Sequence, residues 1–203
     1  MYGSELITLF GDELSEIDPG RAGVRVVGGE KVSARDMATM LLAVSVAELL
    51  DQNAAALTEQ EVKKLFRTVR TLTVRSAESA GAGQGFTHAV AVAAREPVAV
   101  KQLALRLLGG RVVSPEMKLI AMAYAYLEPS GAVGPTNGKG KRVSSMLGMS
   151  PGEIDDQRAE ILRDDWQRLR KVWETWKANN PTLADELVDQ CRKAMTEAKD
   201  LSD

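Results

Sequence analysis

Hydrophobic residues recur along this chain mostly at helical spacing, three or four positions apart, and this pattern predicts a mainly helical protein. The segment 33–50 starts at a weak capping box, Ser33 to Asp36, and is apolar nearly all round between positions 40 and 47. A helix without a polar face belongs in a core, so we expect this one at the centre. Turn and capping residues delimit further helices at 87–94, 97–108, 114–127 and 182–195.

The longest predicted helix covers 150–178 and carries all three tryptophans on one stripe. The stripe residues follow one another at steps of four, three, four and three: Leu162, Trp166, Leu169, Trp173 and Trp176. This heptad-like spacing is typical of a face that packs along another helix. We expect the stripe to lie in the core, although its length and aromatic content also suit a subunit interface.

The stretch 58–80 decides the functional interpretation. It opens with a capping box, and its apolar positions at helical spacing predict a buried stripe: Val62, Leu65, Phe66, Val69 and Leu72. Its basic residues predict a cationic face opposite that stripe, made by Lys63, Arg67 and Arg70 at i, i+4 and i+7, with Lys64 and Arg75 beside them. Like charges on neighbouring turns repel by about a few tenths of a kcal/mol per pair, so a face of this kind favours a polyanionic partner.

The first 32 residues predict two small features. Leu6, Ile7, Leu9 and Phe10 form an apolar segment, which is either a docked first helix or an arm that packs on another subunit. The run 24–32 predicts a β-hairpin, in which Gly28 and Gly29 supply the positive φ angles of the turn.

Together these elements predict an all-α fold: a multi-helix globular bundle with a small N-terminal β-hairpin and a long C-terminal helix. At 203 residues with 44% apolar side chains, the chain is long enough for one full-sized core. We expect a single helical domain over 1–203, with 1–20 as a candidate N-terminal arm and 150–203 as a C-terminal helical subdomain.

The N-terminus and the cysteine content predict an intracellular protein. The N-terminal segment has no basic n-region and carries acids, unlike a secretory signal, and no run approaches 18 uncharged apolar residues. Cys191 is the only cysteine, which excludes an intramolecular disulfide. We therefore expect a cytoplasmic location or membership of a nucleoprotein particle or virion, and no membrane partner.

The net charge of −2 conceals a strong partition along the chain. Residues 1–57 carry 4 basic and 9 acidic side chains, and residues 150–203 carry 9 basic and 13 acidic ones. Residues 58–149 carry 13 basic and 6 acidic side chains, a net charge of +7. Such a basic middle suits a polyanion, an acidic part of the same chain or a neighbouring copy; it also arises by chance on a solvated surface.

The residue inventory argues against catalysis. In the loop 128–142, three residues lie between Gly134 and Gly138, where a P-loop has four, and Gly140 stands where a P-loop needs a hydroxyl, so nucleotide hydrolysis is rejected. His88 is the only histidine, and a lone histidine is more often a core or surface residue than a ligand. We expect no enzyme activity, no cofactor and no metal.

The favoured hypothesis is a nucleic-acid-binding assembly protein of nucleocapsid or coat type. It would bind RNA or single-stranded DNA through phosphate contacts and form homo-oligomers. The predicted nucleic-acid-binding residues are Lys63, Lys64, Arg67, Arg70 and Arg75, together with Lys139, Lys141 and Arg142 on the 128–142 loop; the predicted oligomerisation residues are Leu6, Ile7, Leu9 and Phe10.

Two alternatives remain. One is a helical protein-interaction or scaffold module that binds no nucleic acid and uses its basic face on an acidic partner. The other is a helix-turn-helix regulator, which is disfavoured because the helix ending at Leu108 is too apolar to read bases.

Overall fold

The computed structural model describes residues 3–64, 67–77, 85–134 and 153–199, with backbone alone for 21, 22, 62–64 and 67–69. The described chain is mostly helical and also contains two small sheets, so it is not purely all-α. Its helices are α1 (Ile7–Phe10), α2 (Ala34–Asp51), α3 (Phe86–Ala93), α4 (Leu103–Leu107), α5 (Pro115–Leu127), α6 (Asp156–Glu160), α7 (Arg163–Asn179) and α8 (Pro181–Ala198). Its strands are β1 (Pro19–Arg25), β2 (Lys31–Val32), β3 (Ala55–Lys64), β4 (Arg67–Ser76) and β5 (Val98–Ala99).

Helix α2 lies at the centre, as its all-round apolar sequence predicts. The Ser33 side chain caps it by accepting a hydrogen bond from the Asp36 backbone N–H at 3.2 Å. Helices α3, α5, α7 and α8 all pack against α2. Buried side chains contributed from Leu6 to Ala198 form one contiguous hydrophobic core around it.

The N-terminal segment is a docked helix. A 3₁₀ turn over Ser4–Leu6 leads into α1, and Leu6, Ile7, Leu9 and Phe10 are at most 1% exposed. Of the two alternatives that the sequence left open, the structure therefore adopts the first. In this conformation the four side chains predicted to mediate oligomerisation lie in the core of their own chain, where they offer no surface to a second copy.

The predicted N-terminal hairpin is present as β1 and β2, which pair antiparallel. Gly28 and Gly29 connect them with φ angles of 79° and 88°, the left-handed region that glycine enters without strain. Behind this hairpin, the buried Tyr124 hydroxyl donates to the Arg25 carbonyl oxygen at 3.3 Å.

The predicted helix over 58–80 is wrong: the described part of this stretch forms the antiparallel hairpin of β3 and β4. Ten residue pairs join the strands, from Ala55 opposite Ser76 to Lys64 opposite Arg67. Strand β4 is rich in β-branched threonine and valine, and its residues alternate between buried and less buried from position 71 to 76. Both a helical and a two-residue period fit this sequence, and tertiary packing selects the strand.

The predicted long C-terminal helix is divided into α6 and α7. The Asp155 side chain caps α6, and Leu162, with φ −90° and ψ 3°, interrupts the helix before α7. Trp166 and Trp173 are buried in the core, as the stripe predicts. Their indole N–H groups donate to Glu13 Oε2 at 2.9 Å and Glu16 Oε1 at 3.3 Å, so α7 is fixed to the N-terminal segment.

A polar cluster lies where the N-terminus, α2 and α3 meet. Glu5 is 2% exposed and accepts from the Phe86 backbone N–H at 3.2 Å, at the first turn of α3. Glu48 accepts from the Thr87 hydroxyl at 2.6 Å. Burial raises the pKa of the Glu48 carboxyl, the Thr87 hydrogen bond lowers it and the Glu5 charge raises it; the net effect is a raised pKa.

Replacing Glu48 with glutamine should stabilise the protein at neutral pH. Because the folded-state pKa of this carboxyl is above its unfolded value, its ionisation opposes folding at pH 7, and that penalty fades as the pH falls towards the unfolded pKa. Urea unfolding should therefore show a gain in the free energy of unfolding for Glu48→Gln that is larger at pH 7 than at pH 5. Asp185→Asn, which changes an exposed acid, is the control; an equal gain at both pH values would contradict the prediction.

Candidate nucleic-acid interface

The β3–β4 hairpin contains the basic stretch. The end of the hairpin around Ala55 and Ser76, which we call its base, packs against the core. Leu72, Val74 and Ser76 face the core and are buried. Strand β5 extends the sheet by pairing with β4 at Thr73 and Val74. The three-stranded order is β3-β4-β5, which leaves β3 as an outer strand.

Gln190 of α8 clamps the hairpin through its side-chain amide. Its Oε1 accepts from the Leu72 backbone N–H at 3.0 Å, and its Nε2 donates to the Arg70 carbonyl oxygen at 3.2 Å. A further bond from Nε2 to Glu186 Oε1, at 2.7 Å, orients the amide. Sequence reasoning missed this residue, because a glutamine on a helix has no signature for a tertiary partner.

The predicted basic residues do not form one face. Arg70 and Arg75 are five positions apart on one strand, so they lie on opposite faces of the sheet. Arg70 forms ion pairs with Glu59 at 3.2 Å and Glu61 at 3.7 Å, both on β3. Glutamates thus offset the charge of this arginine, an arrangement that the helical interpretation did not foresee.

The structure describes the other predicted nucleic-acid-binding residues less completely. Lys63, Lys64 and Arg67 lie at the outer end of the hairpin, where Lys64 is opposite Arg67 in the backbone register. The three loop residues fall outside the described residues: Lys139, Lys141 and Arg142.

Arg75 lines an open groove at the base of the hairpin, which we call the foot groove. Its volume is about 840 Å³. Two arginines and one acid contribute to its wall; the lining residues are Asn53, Ala55, Ala56, Arg75, Ser76, Ala77, Arg95 and Glu96.

Arg106 lies next to the foot groove. Its guanidinium donates to the carbonyl oxygens of Ala93 and Glu96 at 3.3 and 3.1 Å, near the C-terminal end of α3. The foot groove thus brings Arg75 of β4 together with Arg95 of the segment after α3, 20 residues further along the chain. The net charge of 58–149 was the only sequence signal for Arg95, because its position in one groove with Arg75 depends on the sheet.

Ion pairing differs between the C-terminal part of the chain and the middle segment. In the C-terminal part, seven of the nine described basic side chains are within 4.0 Å of a carboxylate: Arg158, Arg163, Arg168, Arg170, Lys177, Arg192 and Lys193. In the middle segment 58–149, Arg70 has carboxylate partners, whereas the other six described basic side chains have none among the described residues: Arg75, Arg95, Lys101, Arg106, Arg111 and Lys118.

Metal-ligand groups and membrane-spanning helices were also sought in the part of the chain described. Within it, no group of three or more histidine, cysteine, aspartate or glutamate side chains is placed to hold a metal ion. Across the same residues, no helix combines the length and apolar character needed to cross a bilayer. Burial raises the pKa of the Cys191 thiol and keeps it protonated.

No protein-family profile, curated protein sequence or solved structure matches this chain.

Replacing Gln190 with alanine should loosen the hairpin from α8. The buried Leu72 N–H and Arg70 carbonyl would each lose a partner, at a cost of about 1–3 kcal/mol in the free energy of unfolding. Urea unfolding measures the total loss, and hydrogen exchange at the Leu72 amide measures the local one. Gln157→Ala, on exposed helix α6, is the control; unchanged exchange at Leu72 in Gln190→Ala would contradict the assignment.

Proposed function

We propose that this protein is a non-enzymatic nucleic-acid-binding subunit of coat or nucleocapsid type, which binds RNA or single-stranded DNA through phosphate contacts and self-associates. The observation that supports this most directly is the division of the basic residues. Those of the C-terminal part are mostly paired with acids, whereas most of those described in the middle segment have no carboxylate partner.

Unpaired cations are the ones that favour phosphate binding. An arginine already paired with a carboxylate must give up that partner before it binds a phosphate. An unpaired arginine instead exchanges loosely held counterions for the phosphate, and release of those ions favours binding. By this criterion Arg75 and Arg95 are better placed than Arg70, which has two glutamate partners.

The foot groove suits a nucleic-acid backbone. Arg75 and Arg95 are exposed and line one open groove, in which Glu96 is the one acid among the described lining residues. The guanidinium fork matches the geometry of phosphate oxygens, and contacts of this kind carry no base preference. Binding is therefore expected to depend on salt and little on sequence.

The alternative function, a protein-interaction or scaffold module, is favoured by a different observation. The exposed hairpin carries charges of both signs, and its Arg70 is already paired within it. A surface of that kind suits a protein partner. The scaffold alternative predicts association without nucleic acid and no effect of added RNA.

Replacing both Arg75 and Arg95 with alanine should weaken binding to single-stranded RNA. Each phosphate contact with a single strand contributes about 0.7 to the slope of log affinity against log salt, so the double variant should lower that slope by about 1.4. Fluorescence anisotropy with a labelled oligonucleotide, measured over a salt series, gives both affinity and slope.

The matched control is Arg158→Ala with Arg168→Ala, which removes the same two charges from arginines that are paired with acids. This control should leave the slope unchanged, and circular dichroism should show both variants folded. Equal losses in the two double variants would indicate a response to net charge alone and would overturn the foot groove as the site. Failure of the native chain to bind any single strand would overturn the proposed function.

A further inference from the structure

The outer edge of β3 is open. Strand β3 pairs with β4 on one side, and no described strand pairs with its other side. The side chains from 58 to 61 are exposed, so the described chain leaves this edge uncovered. An open strand edge presents a row of backbone N–H and C=O groups that can pair with another strand.

The order of charges along β3 indicates which strand would fit. Two acids come first, Glu59 and Glu61, and two bases follow, Lys63 and Lys64. A second β3 in parallel register would place like charges opposite one another. An antiparallel copy would bring the acidic half of one strand to the basic half of the other, which stabilises a pair of strands.

Symmetry then selects one register. Two identical antiparallel strands in one sheet are related by a two-fold axis normal to that sheet, so one residue lies opposite its own copy. Axes at Glu59, Glu61, Lys63 or Lys64 place that charged residue opposite itself, and an axis at Gln60 places Glu59 opposite Glu61. Among axes at positions 59–64, only the axis at Val62 avoids every like-charged pair. It places Glu61 of each copy opposite Lys63 of the other.

We propose that two copies of this chain associate antiparallel along the open edge of β3, around a two-fold axis at Val62. The two three-stranded sheets then become one continuous six-stranded sheet. Glu61 is suited to this role, because 61% of its side chain is exposed despite the ion pair with Arg70.

This inference rests on the self-association part of the proposed function and adds the surface that performs it. The axis at Val62 lies towards the tip of the hairpin, whereas the foot groove lies at its base around Ala55 and Ser76. About seven residues at ~3.3 Å each separate Val62 from Ala55, roughly 23 Å. A copy paired at this edge therefore leaves Arg75 and Arg95 accessible.

Charge reversal tests the register in the full-length chain after high salt has removed nucleic acid. Glu61→Lys should weaken dimerisation in sedimentation equilibrium by about tenfold or more, since two attractive pairs become repulsive. Lys63→Glu should do the same, and the double variant should restore the dimer. Glu59→Lys is the matched control: it removes the other glutamate partner of Arg70 but lies outside the residues 60–64 that pair around the axis, so dimerisation should persist.

A cysteine at the axis tests the geometry independently. Val62→Cys should form a disulfide-linked dimer under mild oxidation, because residues directly opposite in an antiparallel pair have Cα atoms about 4.5–5.5 Å apart, a separation that a disulfide spans. Thr58→Cys should not, since eight residues along the strands, roughly 26 Å, separate its two copies. The natural Cys191 is fully buried and gives no background.

A dimer that follows the charge reversals and cross-links at position 62 supports the inference, even if the protein binds no nucleic acid. A native chain that stays monomeric up to the highest concentration reached overturns it. A dimer that neither charge reversal weakens, and that does not cross-link through a cysteine at position 62, also overturns it. That result would not contradict nucleic-acid binding at the foot groove.

Discussion

A helix with no polar face has to be covered on every side, and α2 imposes this requirement on the rest of the chain. Twelve of its 18 residues are buried. Full burial of a side chain such as leucine or methionine contributes about 1.5–3 kcal/mol, so no arrangement that leaves one side of α2 in water competes with this one. The N-terminal segment and α3, α5, α7 and α8 take their places around it.

Covering α2 also arranges the charges. The acids of the N-terminal segment lie against α7, where Glu13 pairs with Arg163 and Arg170, and Glu16 pairs with Lys177. Burial raises the pKa of Glu16, but the hydrogen bonds from Lys177, the backbone and Ser15, together with the Lys177 charge, outweigh burial, so the net pKa is lowered. The acidic first segment thus neutralises bases of the C-terminal one. Among the described residues, six basic side chains of the middle segment have no such carboxylate partner.

The sequence predicted those elements whose apolar residues fit a single period and whose ends are marked by clear capping or turn residues. Helices α2, α3 and α5 fall close to their predicted positions, and the two-glycine turn identified the first hairpin. The prediction for 58–76 was wrong because its apolar residues fit both the helical period and the two-residue period of a strand. Only contacts with α8 and β5 decide between the two. The same error misassigned the basic face: helical geometry grouped Arg70 with Lys63 and Arg67, whereas the sheet pairs Arg70 with Glu59 and brings Arg75 into one groove with Arg95.

The contacts of Glu13 with Arg163 and Trp166 join residues about 150 positions apart. During translation at roughly 5–20 residues per second, the apolar N-terminal segment would wait about 8–30 s before α7 is synthesised. Throughout that interval Phe10 lacks Trp166 of α7, against which its ring finally packs, and α2 lacks its neighbours α7 and α8. Completion of the core therefore waits until α7 and α8 have both been synthesised.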